Sequence, residues 1–177
     1  MKRLLLTAAC LGLAFPAAAS AAAVVGTPVT GTVTVTGAVA PRCQFTTATD
    51  NIDIPELSNT TTSVLDPATV SGAPHATLVG WCNGTASTIQ VEAQPLLNSA
   101  PAPTGFTNRV DYTATATANS VSVTDNSVVA NSDNTAVTVG IFTGDIDVGL
   151  SQATSPTGKL IAGAYLGHVI VTLTPST

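Results

Sequence analysis

Charged side chains are scarce: Asp, Glu, Lys and Arg make up 8% of the 177 residues, and Lys and Arg together number 5. A chain so short of cations cannot neutralise a run of phosphates, which argues against nucleic acid and anionic membrane as partners. Glu, Lys, Leu and Met are also thin, and no helical periodicity appears beyond the first residues. Catalytic signatures are missing too. There is no Gly-x-Ser-x-Gly, no His-Glu-x-x-His, no Gly-rich phosphate loop and no Cys-x-x-Cys, so the chain is not read as an enzyme, and no cofactor or metal is expected. What it has in quantity is Thr, Val, Ala, Ser, Gly and Asn. β-branched residues suit pleated surfaces while Gly and Asn suit turns, so the expected fold class is all-β.

The first residues follow the layout of a cleaved secretory signal. Lys2 and Arg3 are followed by an apolar run from Leu4 to Phe15, then Pro16 and the small residues Ala17 to Ala23. The run is too short for the roughly 20 residues of a membrane helix. Cys10 lies inside it, where a lipoprotein cut would leave too little apolar length. Residues 1–23 are therefore read as a signal peptide with cleavage after Ala21 or Ala23, and the chain as exported. The remainder retains Arg42, Arg109 and Lys159 against all 10 acidic residues, 3 − 10 = −7. It is long enough for one domain with a sizeable core.

Export leaves Cys43 and Cys82, an even pair in an oxidising compartment, which favours a disulfide over two buried thiols or a metal pair. Upstream of Cys43 the chain alternates. Val25, Val29, Val33, Val35 and Val39 occupy odd positions, and Thr30, Thr32, Thr34 and Thr36 even ones. Period two gives one apolar and one hydroxyl face, which a strand needs and a helix cannot use. The stretch is too long for one ordinary strand, and Gly37 divides it into one strand ending near Thr36 and another running toward Cys43. Further strands are expected over Ala76–Cys82, Ser87–Ala93, Arg109–Ala118, Ser120–Thr124, Thr135–Phe142 and Ala164–Thr174, with a brief one at Asn51–Ile54. The last would carry Tyr165, Val169, Val171 and Leu173 on one face. Residues 56–75, 95–105, 125–134 and 151–158 read as loops and turns. Strands at this spacing suggest an immunoglobulin-like β-sandwich with one disulfide.

Three segments carry a family resemblance. They are Val29-Thr30-Gly31-Thr32-Val33-Thr34-Val35 leading into Ala38-Val39-Ala40-Pro41-Arg42-Cys43; Thr77-Leu78-Val79-Gly80-Trp81-Cys82-Asn83-Gly84-Thr85; and the closing stretch from Ala162 to Leu173 with Gly163 and Tyr165. Together they resemble the chaperone–usher pilins, and within them the spore coat protein U-like, or archaic, branch. Phe106 to Tyr112 matches a middle strand of that family more weakly. Two features depart from the pattern: Ile52-Asp53-Ile54-Pro55 stands where the family has an apolar-Gly motif, and the chain closes on Thr174-Pro175-Ser176-Thr177 without an aromatic residue. The resemblance implies a pilin-type sandwich short of its last strand, completed by a neighbour's N-terminal segment through strand addition. Residues 24–36 would then be a donor-strand extension, with Val29, Val33 and Val35 as the inserted side chains, and residues 37–177 the domain. Implied partners are neighbouring copies or related subunits, a periplasmic chaperone and an outer-membrane usher, in a surface pilus, fimbria or spore-coat-like assembly. From the residues alone, 26–36 serves equally as the first strand of a self-sufficient sandwich. The chain would then be a monomeric secreted binding module, recognising glycans through loops 95–108 or 125–134.

The remaining chemistry-bearing residues read as structural. His75 follows Pro74 in a turn-rich region and His168 lies among apolar strand residues. Asp145 and Asp147 alternate on one strand face, too few for the six to eight oxygens calcium takes. Trp81 is expected to pack against the disulfide. The glycosylation-like triplets Asn59-Thr60-Thr61 and Asn83-Gly84-Thr85 read as turns.

Overall fold

The computed structural model describes residues 26, 28–129, 135–156 and 158–177. Residues 1–23, the expected signal, lie outside the described residues, as do Val24, Val25 and Thr27. Residues up to Ala38 form one unit and Val39–Thr177 another. The second unit is all-β. In chain order it holds β1 (Cys43–Thr47), α1 (Pro67–Ser71), β2 (Ala76–Cys82), β3 (Thr88–Leu97), β4 (Phe106–Thr107), β5 (Arg109–Ala118), β6 (Val121–Asn126), β7 (Val137–Thr138), β8 (Phe142–Thr154), β9 (Lys159–Leu160) and β10 (Leu166–Thr174).

The strands form a sandwich that approaches a barrel. The main ladder runs β1-β2-β8-β5-β3-β10, with β6 on β5 and β7 on β3. Its wide layer is β1-β2-β8-β5-β6, and β10-β3-β7 faces it. The layers join where Leu96 and Leu97 of β3 pair with Val110 and Arg109 of β5. Alternating residues on β3 (Ile89, Val91, Ala93), β5 (Val110, Tyr112, Ala114, Ala116) and β8 (Ile146, Val148) fill the core between them. The β5–β6 hairpin turns at Asn119 and Ser120, both at positive φ (49° and 63°), the conformation that continues the right-handed strand twist. Asp125, 5% exposed, accepts a 2.7 Å hydrogen bond from the Ala93 amide, so a carboxylate stands in for a ladder partner on the second edge of β3.

Several sequence expectations are corrected here. Residues 28–42 belong to no strand, and the strand expected to run toward Cys43 begins there instead. A period-two pattern makes a strand possible, but only a ladder partner makes one. Residues 51–54 likewise form none, while α1 interrupts the expected loop 56–75. Asp66 caps that helix by accepting from the Ala68 amide at 3.0 Å, with Pro67 opening the first turn. Pro95, expected in a loop, lies inside β3 at a bulge, where Pro95 and Leu96 oppose the single Gly167. The expected strand over 135–142 reduces to β7. Phe142 instead opens the 13-residue β8, because pairing with both β2 and β5 overrides the weak strand preference of Gly144 and Gly149.

The expected disulfide is present. Cys43 and Cys82 are direct cross-strand partners with Cα atoms 4.2 Å apart and S–S 2.04 Å. It fastens the short terminal strand β1, whose one ladder partner among the described residues is β2. Opening this bond through Cys43→Ser with Cys82→Ser is expected to cost about 4 kcal/mol, from closure of a loop of roughly 40 residues. A fall in denaturant midpoint with unchanged m-value checks it; an unchanged midpoint contradicts it.

Candidate functional site: an open sheet edge

The ladder has two ends, β1 and β10, and they approach each other without pairing. Leu173 of β10 comes up to Gly80 of β2, where an added methyl would meet Leu173 Cδ1 at 3.3 Å and the Gln44 carbonyl of β1 at 3.1 Å. Moving away from that point, the chain after β1 runs along the gap through Ile52, Ile54 and Leu57, antiparallel to β10. Among the described residues β10 has one strand partner, β3. Every second backbone amide and carbonyl along the nine residues of Leu166–Thr174 therefore points at the gap.

The gap is lined as a core would be. Val169, Val171 and Leu173 from β10, Phe45 from β1, Ile52 and Ile54 from the following segment, and Leu78, Leu96 and Leu150 from the floor are all half-buried against the core. Two cavities follow it. One of ≈ 280 Å³ lies between Asp50–Ile54 and Tyr165–Val169, with Leu78, Leu150 and Tyr112 beneath. Another of ≈ 530 Å³ extends past Ile54 to Leu57, Leu160 and Tyr165. The groove thus combines these apolar side chains with a β10 edge that has no second ladder partner among the described residues, and Asp50, Asp53, Glu56 and Ser58 line its other side.

Two tyrosines hold its walls. The Tyr112 hydroxyl donates to the Gln94 carbonyl at 2.6 Å, with the His168 carbonyl at 3.1 Å, tying β5 to both β3 and β10. Tyr165 donates to the Ile161 carbonyl at 3.1 Å, with the Thr107 carbonyl at 3.2 Å. Burial, and then the charge of Asp125, raises the Tyr112 phenol well above its ordinary value, and burial also raises Tyr165.

The valines expected to act as inserted side chains are on the surface. Val29 is 90%, Val33 86% and Val35 89% exposed. Their exposure contrasts with the valines of the domain's strands, which are largely covered. At the root of this segment a clamp appears that the sequence did not signal. Asn83, read as a plain turn residue, accepts from the Arg42 amide (2.5 Å) through Oδ1 and donates to the Ala40 carbonyl (3.2 Å) through Nδ2. Its own amide donates to the Arg42 carbonyl at 3.0 Å. Nothing in an Asn-Gly dipeptide distinguishes such a clamp from a hairpin turn.

The other candidates stay apart from the groove or play structural parts. His75 Nδ1 lies 2.7 Å from Asp147 Oδ2, both side chains about half exposed. Asp145 is exposed on the same face of β8, and among the described residues no group of three or more His, Cys, Asp or Glu is placed to hold a metal. The His168 side chain is exposed on the outer face of β10. Trp81 is corrected: it alternates with Cys82 along β2 and lies on the opposite face, across from Gln44 and Thr143, so it does not pack under the disulfide. Asn59 does form a turn, its Oδ1 accepting from the Thr61 and Thr62 amides. No helix among the described residues is long and apolar enough to cross a membrane. Comparison with protein-family models, curated proteins and solved structures finds no match to the chain.

The Tyr112 shift sets an alkaline limit. A phenol whose folded pKa stands above its unfolded value leaves stability intact below about pH 10 and removes it progressively above, as the unfolded chain ionises first. Loss of secondary structure by circular dichroism above about pH 10, blunted in Tyr112→Phe, is the expected outcome. An identical alkaline midpoint in that variant contradicts it.

Proposed function

We propose that the chain is a structural subunit of a surface assembly, a pilus, fimbria or spore-coat-like polymer, built by donor-strand complementation. The observation that carries the proposal is the open edge of β10 over an apolar groove, in a chain that also carries a valine ribbon matched to it. The edge Leu166–Thr174 is nine residues long, and so is Pro28–Thr36. The inward positions of β10 are odd-numbered, and so are the ribbon's valines. Entering antiparallel to β10 and aligned end to end, the ribbon sets Val29 level with Leu173, Val33 with Val169 and Val35 with Gly167. The threonines then face solvent beside the outer face of β10. The ribbon bears no charge, which suits a groove that would have to desolvate one.

Each valine buried contributes on the order of 1.5 kcal/mol or more, and the main-chain bonds fix register, since a slip of one residue would turn threonines inward. Export through a disulfide-forming compartment, and delivery by a periplasmic chaperone and an outer-membrane usher, belong to the same proposal and rest on the sequence resemblance.

A chain lacking residues 24–36 is expected to bind a fluorescent peptide of residues 26–36 in one-to-one ratio and to be stabilised by it. In the peptide, Val33→Asp should weaken binding by more than about 100-fold, since burying a carboxylate costs at least about 3 kcal/mol. Equal binding of the two peptides, or none of either, removes the proposal. The exported chain should also run as heat-sensitive ladders on unboiled gels.

A further inference from the structure

The chain's one tryptophan stands outside the core that would ordinarily claim it. Trp81 belongs neither to the buried cluster nor to the apolar residues packed against it, although rings of this size dominate the energetics of most cores. It is half-buried on the outer face of β2, opposite the face that Leu78 turns to the groove. Gln44 of β1 flanks it on one side and Thr143 of β8 on the other. We infer that this outer face is a carbohydrate-binding site, with Trp81 as the platform on which a sugar ring stacks. Its ligand is a neutral glycan of equatorially substituted pyranoses, as in β-1,4-linked glucose or N-acetylglucosamine chains.

A pyranose with its substituents equatorial has flat C–H faces and a rim of hydroxyls. The C–H faces suit the electron-rich face of an indole, and the rim needs donors and acceptors beside it. The outer face of β1-β2-β8 supplies both. Gln44, Trp81 and Thr143 make one row across the three strands, about 10 Å from first to last, roughly the length of a disaccharide. Asp145, the next outward residue of β8, lies diagonal to Trp81 and is exposed. Gln44, Thr143 and Asp145 have no side-chain partner among the described residues, and neither has the indole N–H. Farther along the same layer the polar side chains bond to one another. Thr117 Oγ1 lies 2.9 Å from Ser122 Oγ, Asn126 donates to Thr113 Oγ1 at 3.0 Å, and His75 meets Asp147. On this layer the uncommitted groups gather around the tryptophan.

Charge selects among glycans. Asp145 and Asp147 on β8 stand against one exposed cation, Arg42, whose carbonyl extends the β1–β2 ladder by accepting from the Asn83 amide at 3.0 Å. A sulfated or uronic-acid chain would meet two carboxylates for one guanidinium, on a chain of net charge -5. A neutral glycan meets no such repulsion. One ring on one platform gives a dissociation constant in the millimolar range. The site is independent of strand donation, because the face opposite the groove is open whether or not the groove is filled.

Because Trp81 is the chain's single tryptophan, its fluorescence reports the site directly. The exported, disulfide-bonded chain is titrated with cellohexaose, chitohexaose and maltohexaose to about 20 mM, several times the expected dissociation constant. Cellohexaose or chitohexaose should change the emission saturably, and the curved, α-linked maltohexaose should bind at least about tenfold more weakly. By ligand-observed NMR, Trp81→Ala should lose at least about tenfold in affinity for the β-linked probe, with Trp81→Phe in between. Asp145→Asn and Gln44→Ala, both at exposed positions, should each weaken binding several-fold by Trp81 emission, and they serve if Trp81→Ala fails to fold. No saturable change with either β-linked probe, or equal affinity for all three sugars, overturns the inference. So does undiminished binding in Trp81→Ala, or in both Asp145→Asn and Gln44→Ala. Uptake of the 26–36 peptide should be unchanged in these variants, so failure here leaves donation standing.

Discussion

Hydrogen-bonding groups along a buried strand edge have to be satisfied, and on β10 one whole row of them faces the gap. An exposed edge of nine residues over apolar side chains is what natural sheets ordinarily avoid, with charges, proline, bulges or short strands. β10 uses none of these along its length from His168 to Thr174. The bulge in its ladder with β3 sits at Pro95, on the neighbouring strand near the far end. The rest of the domain is arranged around this edge. The tyrosines tie the walls to the floor, and the disulfide keeps the facing strand β1 from fraying.

The contrast with the other edges supports reading the gap as a feature. On β3 the place where a ladder partner is lacking is filled by the Asp125 carboxylate, with β7 and the start of β5 on either side. On the proposed reading, the row left open on β10 is the place of an incoming strand. The segment with the matching length, parity and neutrality is in the same chain, with its apolar face turned to solvent.

The strands that the sequence made legible are those whose alternation coincides with two-sided pairing. Ala76–Cys82 and Arg109–Ala118 match β2 and β5 end for end, and Val169, Val171 and Leu173 lie on the inner face of the last strand as its pattern implied, while Tyr165 packs on the core just ahead of β10. Legibility failed where tertiary contacts override local preference. β8 carries two glycines yet becomes a 13-residue strand because it is held on both sides. Pro95 enters β3 because a bulge absorbs its missing amide. The ribbon alternates much as β5 does and yet forms no strand, since periodicity reports a face and is silent about the partner. For the site, the groove's β10 wall was readable, and the opposite wall only faintly, as the short Ile52-Asp53-Ile54 alternation. The Asn83 clamp was invisible, because its three hydrogen bonds reach some forty residues back along the chain.

The position of the crosslink follows from where the edge lies. A disulfide stabilises by closing a loop, and many pairs of positions would close one of similar length. Here it joins direct partners at the first residue of the terminal strand, three residues beyond the Asn83-held Ala40. On the proposed reading a subunit is held in its polymer by the ribbon alone, and any pull on the ribbon enters the domain within a few residues of Gly37. Hydrogen bonds to one asparagine would yield in sequence under such a load, and β1, five residues with one ladder partner, would peel from β2. A covalent bond at Cys43 stops the peeling at its first step and passes the load to β2, which is paired on both sides.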